Sequence, residues 1–260
     1  MDMEMNTVYY EDCVEGMQNR LDKNSIDLII ADPPFGIDFH KMGNQYNRKA
    51  DFVVKGYTEI SAENYYDFTF GWLKQAQRVL KETGSCYIIS GWTNLKDVLN
   101  AIDAVNLSVI NHIIWKYQFG VFTKRKYVTS HYHILFTVKH PKKYYFNKID
   151  HYPEDVWVIK RPYRPGKEKN STKLPEALVE KLILYSSQEG DLVLDPFLGN
   201  ATTAVCCIKT NRNYFGFELN PACQNVIDQE IQDAKLVVKT QKSKELDVKA
   251  QKSLSQFLES

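Results

Sequence analysis

The sequence lacks the features that mark several large protein classes. No apolar run approaches membrane-spanning length, and the first residues, Met1-Asp2-Met3-Glu4-Met5, are acidic, unlike a signal or transit peptide. Only five of the 260 residues are cysteine. Cys13, Cys86, Cys206, Cys207 and Cys223 show neither paired spacing nor a CxxC, so reduced thiols in a cytoplasmic protein are expected, with no metal. Neither sign of charge dominates: 33 Lys and Arg stand against 32 Asp and Glu, so the whole molecule is not a polyelectrolyte binder. Internal repeats are absent. So is a GxGxxG, and a dinucleotide pyrophosphate is not implied.

What is present is a chain that folds. Hydrophobic content of 43% and aromatic content of 13% exclude a disordered protein, and 260 residues can bury one large core or one core with a small appendage. Short apolar runs alternate with helical patterns, which reads as α/β. Strands are expected at 7–10, 26–31, 86–90, 108–115, 134–139, 192–195 and 214–218. Helices are expected at 13–20, 62–81, 94–105, 175–187, 200–209 and 221–236. Trp72, Leu73, Ala76, Val79 and Leu80 form one 3.6-residue stripe, and Leu178, Val179, Leu182 and Ile183 another; both are core. Three segments show no clear pattern. Residues 40–60 are polar, carry Lys41, Arg48, Lys49 and Lys55, and read as a lid. Residues 150–172 read as a linker, and 237–260 as a loosely attached helix or frayed tail.

Two strand ends carry chemistry. The run Ile26-Asp27-Leu28-Ile29-Ile30-Ala31 ends in Asp32-Pro33-Pro34-Phe35. An acid, two prolines and a ring make a stiff turn at the carboxyl edge of a sheet, where ligands sit in open α/β folds. The carboxylate and a proline-flanked carbonyl can accept both hydrogens of a planar amino group while the ring stacks on its face. The second run is Leu192-Val193-Leu194-Asp195-Pro196-Phe197-Leu198-Gly199-Asn200-Ala201-Thr202-Thr203. It reads as strand, turn and helix start, and an opening helix can hold an anion. Glu218 ends the next strand, where an acid can hold ribose hydroxyls. The ligand described has a ribose and a small anionic group.

Charge is distributed unevenly along the chain. Between Lys116 and Ile149 there are eight Lys or Arg and no acid, interleaved with Tyr117, Phe119, Phe122, Tyr127, Tyr132 and other aromatics. The run continues through Arg161 and Arg164. A basic, aromatic segment on a neutral protein is the footprint of a nucleic-acid groove; the alternative is a solvated basic face.

Together these motifs resemble the β group of DNA amino-methyltransferases, the adenine-N6 and cytosine-N4 enzymes of restriction-modification systems. Their catalytic motif precedes target recognition and their S-adenosylmethionine motif comes last, as here. The resemblance covers about residues 7–235. It implies a Rossmann-like S-adenosylmethionine-dependent methyltransferase fold: a doubly wound, mostly parallel seven-stranded sheet with circularly permuted motif order. It implies a methyltransferase domain over 1–236 with a target-recognition insertion at about 116–170, and a tail at 237–260. Asp32, Pro33, Pro34 and Phe35 would be catalytic, gripping a flipped base. The cofactor would be held by Asp12, Cys13, Asp32, Thr172, Lys173, Asp195, Phe197, Gly199, Asn200, Thr202, Thr203, Glu218, Leu219 and Asn220. Lys116, Lys124, Arg125, Lys126, Lys142, Lys143, Arg161 and Arg164 would contact double-stranded DNA. A homodimer and a cognate restriction endonuclease are admitted as partners but not required; a membrane is not expected.

Departures from the family pattern are specific. Gly199-Asn200-Ala201 stands where Gly-Ser-Gly is usual, and a Cβ at Ala201 occupies a position suited to φ > 0. The segment Asn170-Ser171-Thr172-Lys173-Leu174-Pro175-Glu176 replaces His-Pro-Thr-Gln-Lys-Pro-Glu, with Lys173 offering the lost cation one residue early. Asp at 32 favours adenine over cytosine-N4, where Ser is usual. Cytosine-C5 chemistry needs a cysteine after proline, which the chain lacks. An RNA methyltransferase and a catalytically dead DNA-binding subunit are the remaining alternatives.

Overall fold

The run Ile26–Ala31 has almost no polar face because it is covered on both sides. Ile29 and Ala31 face one core while Leu28 and Ile30 face another, the pattern of a parallel strand buried between two helical layers. The computed structural model describes residues 4–35, 60–118, 120, 123–161 and 173–258. The strands are β1 (Thr7–Tyr9), β2 (Ile26–Ala31), β3 (Leu80–Ser90), β4 (Ser108–Lys116), β5 (His131–Val138), β6 (Val156–Val158), β7 (Leu192–Asp195) and β8 (Asn213–Phe217). They form one sheet in the order β1-β8-β7-β2-β3-β5-β4-β6, with β5 antiparallel to both neighbours and every other pairing parallel.

Helices α1 (Cys13–Arg20), α2 (Tyr65–Val79) and α3 (Leu95–Ala104) cover one face. Met17, Trp72, Leu73, Ala76, Val98 and Ile102 pack there against Ile29, Ile88 and Phe215. Helices α4 (Glu176–Ser186), α5 (Thr202–Lys209) and α6 (Gln224–Leu258) cover the other, through Leu178, Leu182, Ala204, Cys207 and Ile227. Each fully buried Leu or Ile contributes about 1.5–3 kcal/mol. The cysteines pack among these apolar groups, and burial pushes the Cys86 and Cys206 thiols up to about 12. No helix among the described residues is long and apolar enough to cross a membrane.

The sheet has eight strands where the sequence predicts seven. The extra strand is β6, where Val156, Trp157 and Val158 pair with Ile114, Trp115 and Lys116. Three residues between prolines and charges leave too short an alternation to read. The helix predicted over 62–81 stops at Val79, since Leu80 turns to extended backbone and begins β3. Strands β5 and β6 fall within the 116–170 span read as a target-recognition insertion, and α6 runs on through the stretch read as a tail. The lid reading at 40–60 lies outside the described residues except for Ile60.

This order places a switch point between β2 and β7. The chain leaves β2 for β3 on one side and returns to β7 on the other. In open α/β sheets ligands sit at the carboxyl ends of strands flanking such a point.

Candidate active site

Register brings acids to one edge. Ile29 pairs with Leu194, Asp195 with Gly216, and Tyr9 with Phe217. Asp12, Glu218, Asp195 and Asp32 therefore stand at or just past the ends of β1, β8, β7 and β2, consecutive neighbours in the sheet. Each comes from a different part of the chain.

The turn after β7 is built around two of these acids. Asp195 Oδ1 accepts the Phe197 N–H at 2.9 Å, and its Oδ2 accepts the Thr203 hydroxyl at 2.5 Å. Glu218 Oε2 accepts the Gly199 N–H at 2.9 Å and its Oε1 the Asn220 N–H at 2.8 Å. Each Glu218 oxygen keeps acceptor capacity, so the carboxylate can still take two neighbouring hydroxyls. Gly199 has φ +53° and Ala201 φ +59°. Ala201 thus carries its Cβ in the left-handed region, at about 1–2 kcal/mol. The Phe197 ring is held edge-on by Trp72 at 5.4 Å and flanked by Phe68 at 6.0 Å.

Other expected cofactor residues are already committed to neighbours. Asp12 is exposed and caps α1, its Oδ1 accepting the Val14 and Glu15 N–H groups at 2.8 and 3.2 Å. Cys13 is buried in the core, and burial raises its thiol pKa strongly. Thr202 and Thr203 are buried; Thr202 donates to the Leu174 carbonyl at 3.5 Å and Thr203 to Asp195. Lys173 is not the expected free cation: its Nζ pairs with Glu230 of α6 at 2.7 Å, in a mostly buried position. Asn220 caps the following 3₁₀ turn, accepting the Ala222 N–H, and Leu219 is exposed. Asn200 is half-buried in the turn. Thr172 lies outside the described residues.

Asp32, Asp195 and Glu218 resist ionisation. Burial, then the Asp195 charge, pushes Asp32 up to about 7, opposed by Arg161. Burial raises Asp195 to about 6 against its bonds to Thr203 and Phe197, with Glu218 raising it further. Glu218 is also raised by burial. A cation would relieve this edge, and a ribose would find two acceptor oxygens at Glu218. The residues present therefore suit a sulfonium nucleoside.

Past β2, Phe35 meets Tyr132 of β5 at 5.4 Å between ring centroids, and Tyr132 meets Tyr117 at 5.3 Å and Trp115 at 5.5 Å. Along the sequence Tyr117 and Tyr132 stand out only as aromatics of a basic run; their place against the catalytic turn needs the β4–β5 pairing. Farther along these strands His112 Nε2 and His133 Nδ1 lie 2.7 Å apart, and burial with the neighbouring imidazoles lowers His133 to about 4.

The basic run divides in two. Lys116 ends β4, and exposed Lys124, Arg125 and Lys126 follow on the same edge as Asp32. Lys142 and Lys143 lie at the opposite edge, because β5 is antiparallel and carries the chain away; Tyr145 N–H bonds the Thr83 carbonyl there at 2.9 Å. This reversal separates them from the edge that carries Asp32. Arg161 returns to the Asp32 edge after β6, and Arg164 lies outside the described residues. Among the described residues no His, Cys, Asp or Glu group is arranged to hold a metal.

Comparison with known proteins follows the same line. The model of the N6/N4 methyltransferase family, described as DNA methylase, matches residues 26–229. The Type II methyltransferase M.HpaI of Haemophilus parainfluenzae is 32% identical over 227 residues, covering 80% of this chain and 68% of the relative. The DNA adenine methyltransferase YhdJ of Escherichia coli (strain K12) is 29% identical over 248 residues, covering 84% and 79%. The crystal structure of the M1.HpyAVI–SAM complex superposes with a TM-score of 0.64 at 24% identity, covering 86% of this chain and 98% of that one.

Proposed function

This chain belongs to the N6/N4 family of S-adenosylmethionine-dependent DNA methyltransferases, and on that premise we propose that it methylates the exocyclic N6 of an adenine flipped out of double-stranded DNA. The observation that carries the reading is the placement of Asp32-Pro33-Pro34-Phe35 beside Asp195, at the switch point of the sheet. Asp at position 32 and the adenine methyltransferase among the relatives favour adenine over cytosine.

S-adenosylmethionine supplies an electrophilic methyl group on a cationic sulfonium. Glu218 would hold its ribose, and the turn from Asp195 to Ala201 would hold the methionine end. The Asp32 carboxylate and a Pro33 or Pro34 carbonyl would accept the two amine hydrogens. An aromatic amine is a poor nucleophile because its lone pair is delocalised, and these bonds localise and aim it. Phe35, backed by Tyr132, offers the extruded base a stacking face. Extrusion costs roughly a few kcal/mol, which phosphate contacts from Lys116 and Lys124–Lys126 would offset. The surplus proton leaves the amine after the methyl arrives, with Asp32 placed to take it.

Asp32→Ala tests this reading. Radiolabel transfer from S-adenosylmethionine to unmodified DNA should fall to background while calorimetric cofactor binding persists. Transfer near the wild-type rate would remove Asp32 from the mechanism.

A further inference from the structure

The site has a charged neighbour that neither motif contains. Arg161 follows β6, and its guanidinium carbon lies 5.3 Å from the Tyr117 ring centroid and 5.4 Å from that of Tyr132. Tyr132 in turn backs Phe35. The placement is enforced by several bonds. Gln118 holds both backbone groups of Arg161: its Oε1 accepts the Arg161 N–H at 2.8 Å, and its Nε2 donates to the Arg161 carbonyl at 2.9 Å. Just before, Ile159 N–H bonds the Lys116 carbonyl at 3.1 Å, and the Trp115 indole donates to the Ile159 carbonyl at 2.8 Å.

We infer that Arg161 is a positioning residue of the catalytic turn, its guanidinium, set against the Tyr117 and Tyr132 rings, bracing the Tyr132–Phe35 wall and supplying a positive charge that opposes Asp195 at Asp32. The inference rests on the reading of Asp32 as the amine acceptor. Among the described residues, the charged groups acting on Asp32 are Asp195 from β7, which disfavours its carboxylate, and Arg161, which favours it. On the other side β3 ends in Ser90, and His133 opposite Ser90 is neutral at pH 7. Among the described residues Arg161 is thus the favourable charge at the place where the amine must meet an ionised acceptor. Guanidinium suits the task, because it stays charged at any working pH and stacks on aromatic faces.

The test is the pH dependence of single-turnover methyl transfer to unmodified DNA by the full-length enzyme, between pH 5.5 and 8.5. In Arg161→Gln the acidic limb should move up by about one pH unit, so that activity below the limb falls about tenfold while activity at pH 8.5 changes least. Arg161→Lys should recover part of the shift, and Gln118→Ala should reproduce part of it. These two carry the test if Arg161→Gln does not fold. A phosphate contact would behave differently: DNA affinity would drop and its log–log salt slope would fall by about 0.9, with the limb unmoved. That outcome overturns the inference. Asp32→Asn separates the two levels. If it is inactive and the Arg161 variants leave the limb in place, only the role of Arg161 fails. If Asp32→Asn transfers methyl at the wild-type rate, the reading of Asp32 fails and this one with it.

Discussion

Asp32 carries a charge that its surroundings resist. Its pKa in the fold is about 7, against about 3.9 in an unfolded chain. Between those values the folded state holds a proton that the unfolded state has released, so stability is greatest at low pH and declines as pH rises toward 7. Asp195, at about 6, adds in the same direction. His133, lowered to about 4, works oppositely: the unfolded chain takes up a proton below about 6.5, and stability falls on further acidification. Two acids outweigh one imidazole, so these groups should make thermal melting of the cofactor-free protein fall from about pH 4 to about 7. Asp32→Asn should raise stability at pH 8 by roughly 1–3 kcal/mol and flatten the alkaline side of the profile. Equal melting of mutant and wild type at pH 8 would show that Asp32 costs the fold nothing. The acids themselves were legible as strand ends, and Ala201 as a residue in a glycine's place. The partners of Lys173 and Thr203 were not, because Glu230 and Asp195 meet them only through packing.

At the level of elements, the strands with continuous apolar runs were legible because burial on both faces leaves a plain signal. The three-residue β6 was hidden by its brevity, and the reversal at β5 by the fact that a strand's direction leaves no mark on its composition. That reversal has a measurable consequence. Lys124, Arg125 and Lys126 share the edge of Asp32, whereas Lys142 and Lys143 lie across the sheet. Neutralising the first three should weaken DNA binding and reduce the salt slope by about 0.9 for each phosphate no longer neutralised. Neutralising Lys142 and Lys143 should leave both unchanged. Equal losses from the two sets, measured by fluorescence anisotropy across a salt series, would place DNA over both edges.

For the whole molecule, the order of motifs along the chain was readable, and it reflects how the sheet is wound. The catalytic strand comes early and the cofactor strands late, yet β2 and β7 lie side by side. A nearly neutral protein, with net charge +1, can then set a basic surface and an acidic pocket on one edge of a single sheet. The acids suit a cationic donor and the bases a polyanionic substrate. The central claim is that this edge moves a methyl group to adenine N6. It is tested most directly by incubating the purified protein with unmodified double-stranded DNA and isotopically labelled S-adenosylmethionine, then identifying the labelled nucleoside by mass spectrometry. The account predicts label in N6-methyldeoxyadenosine; label in N4-methyldeoxycytidine instead, or in no nucleoside, would contradict it.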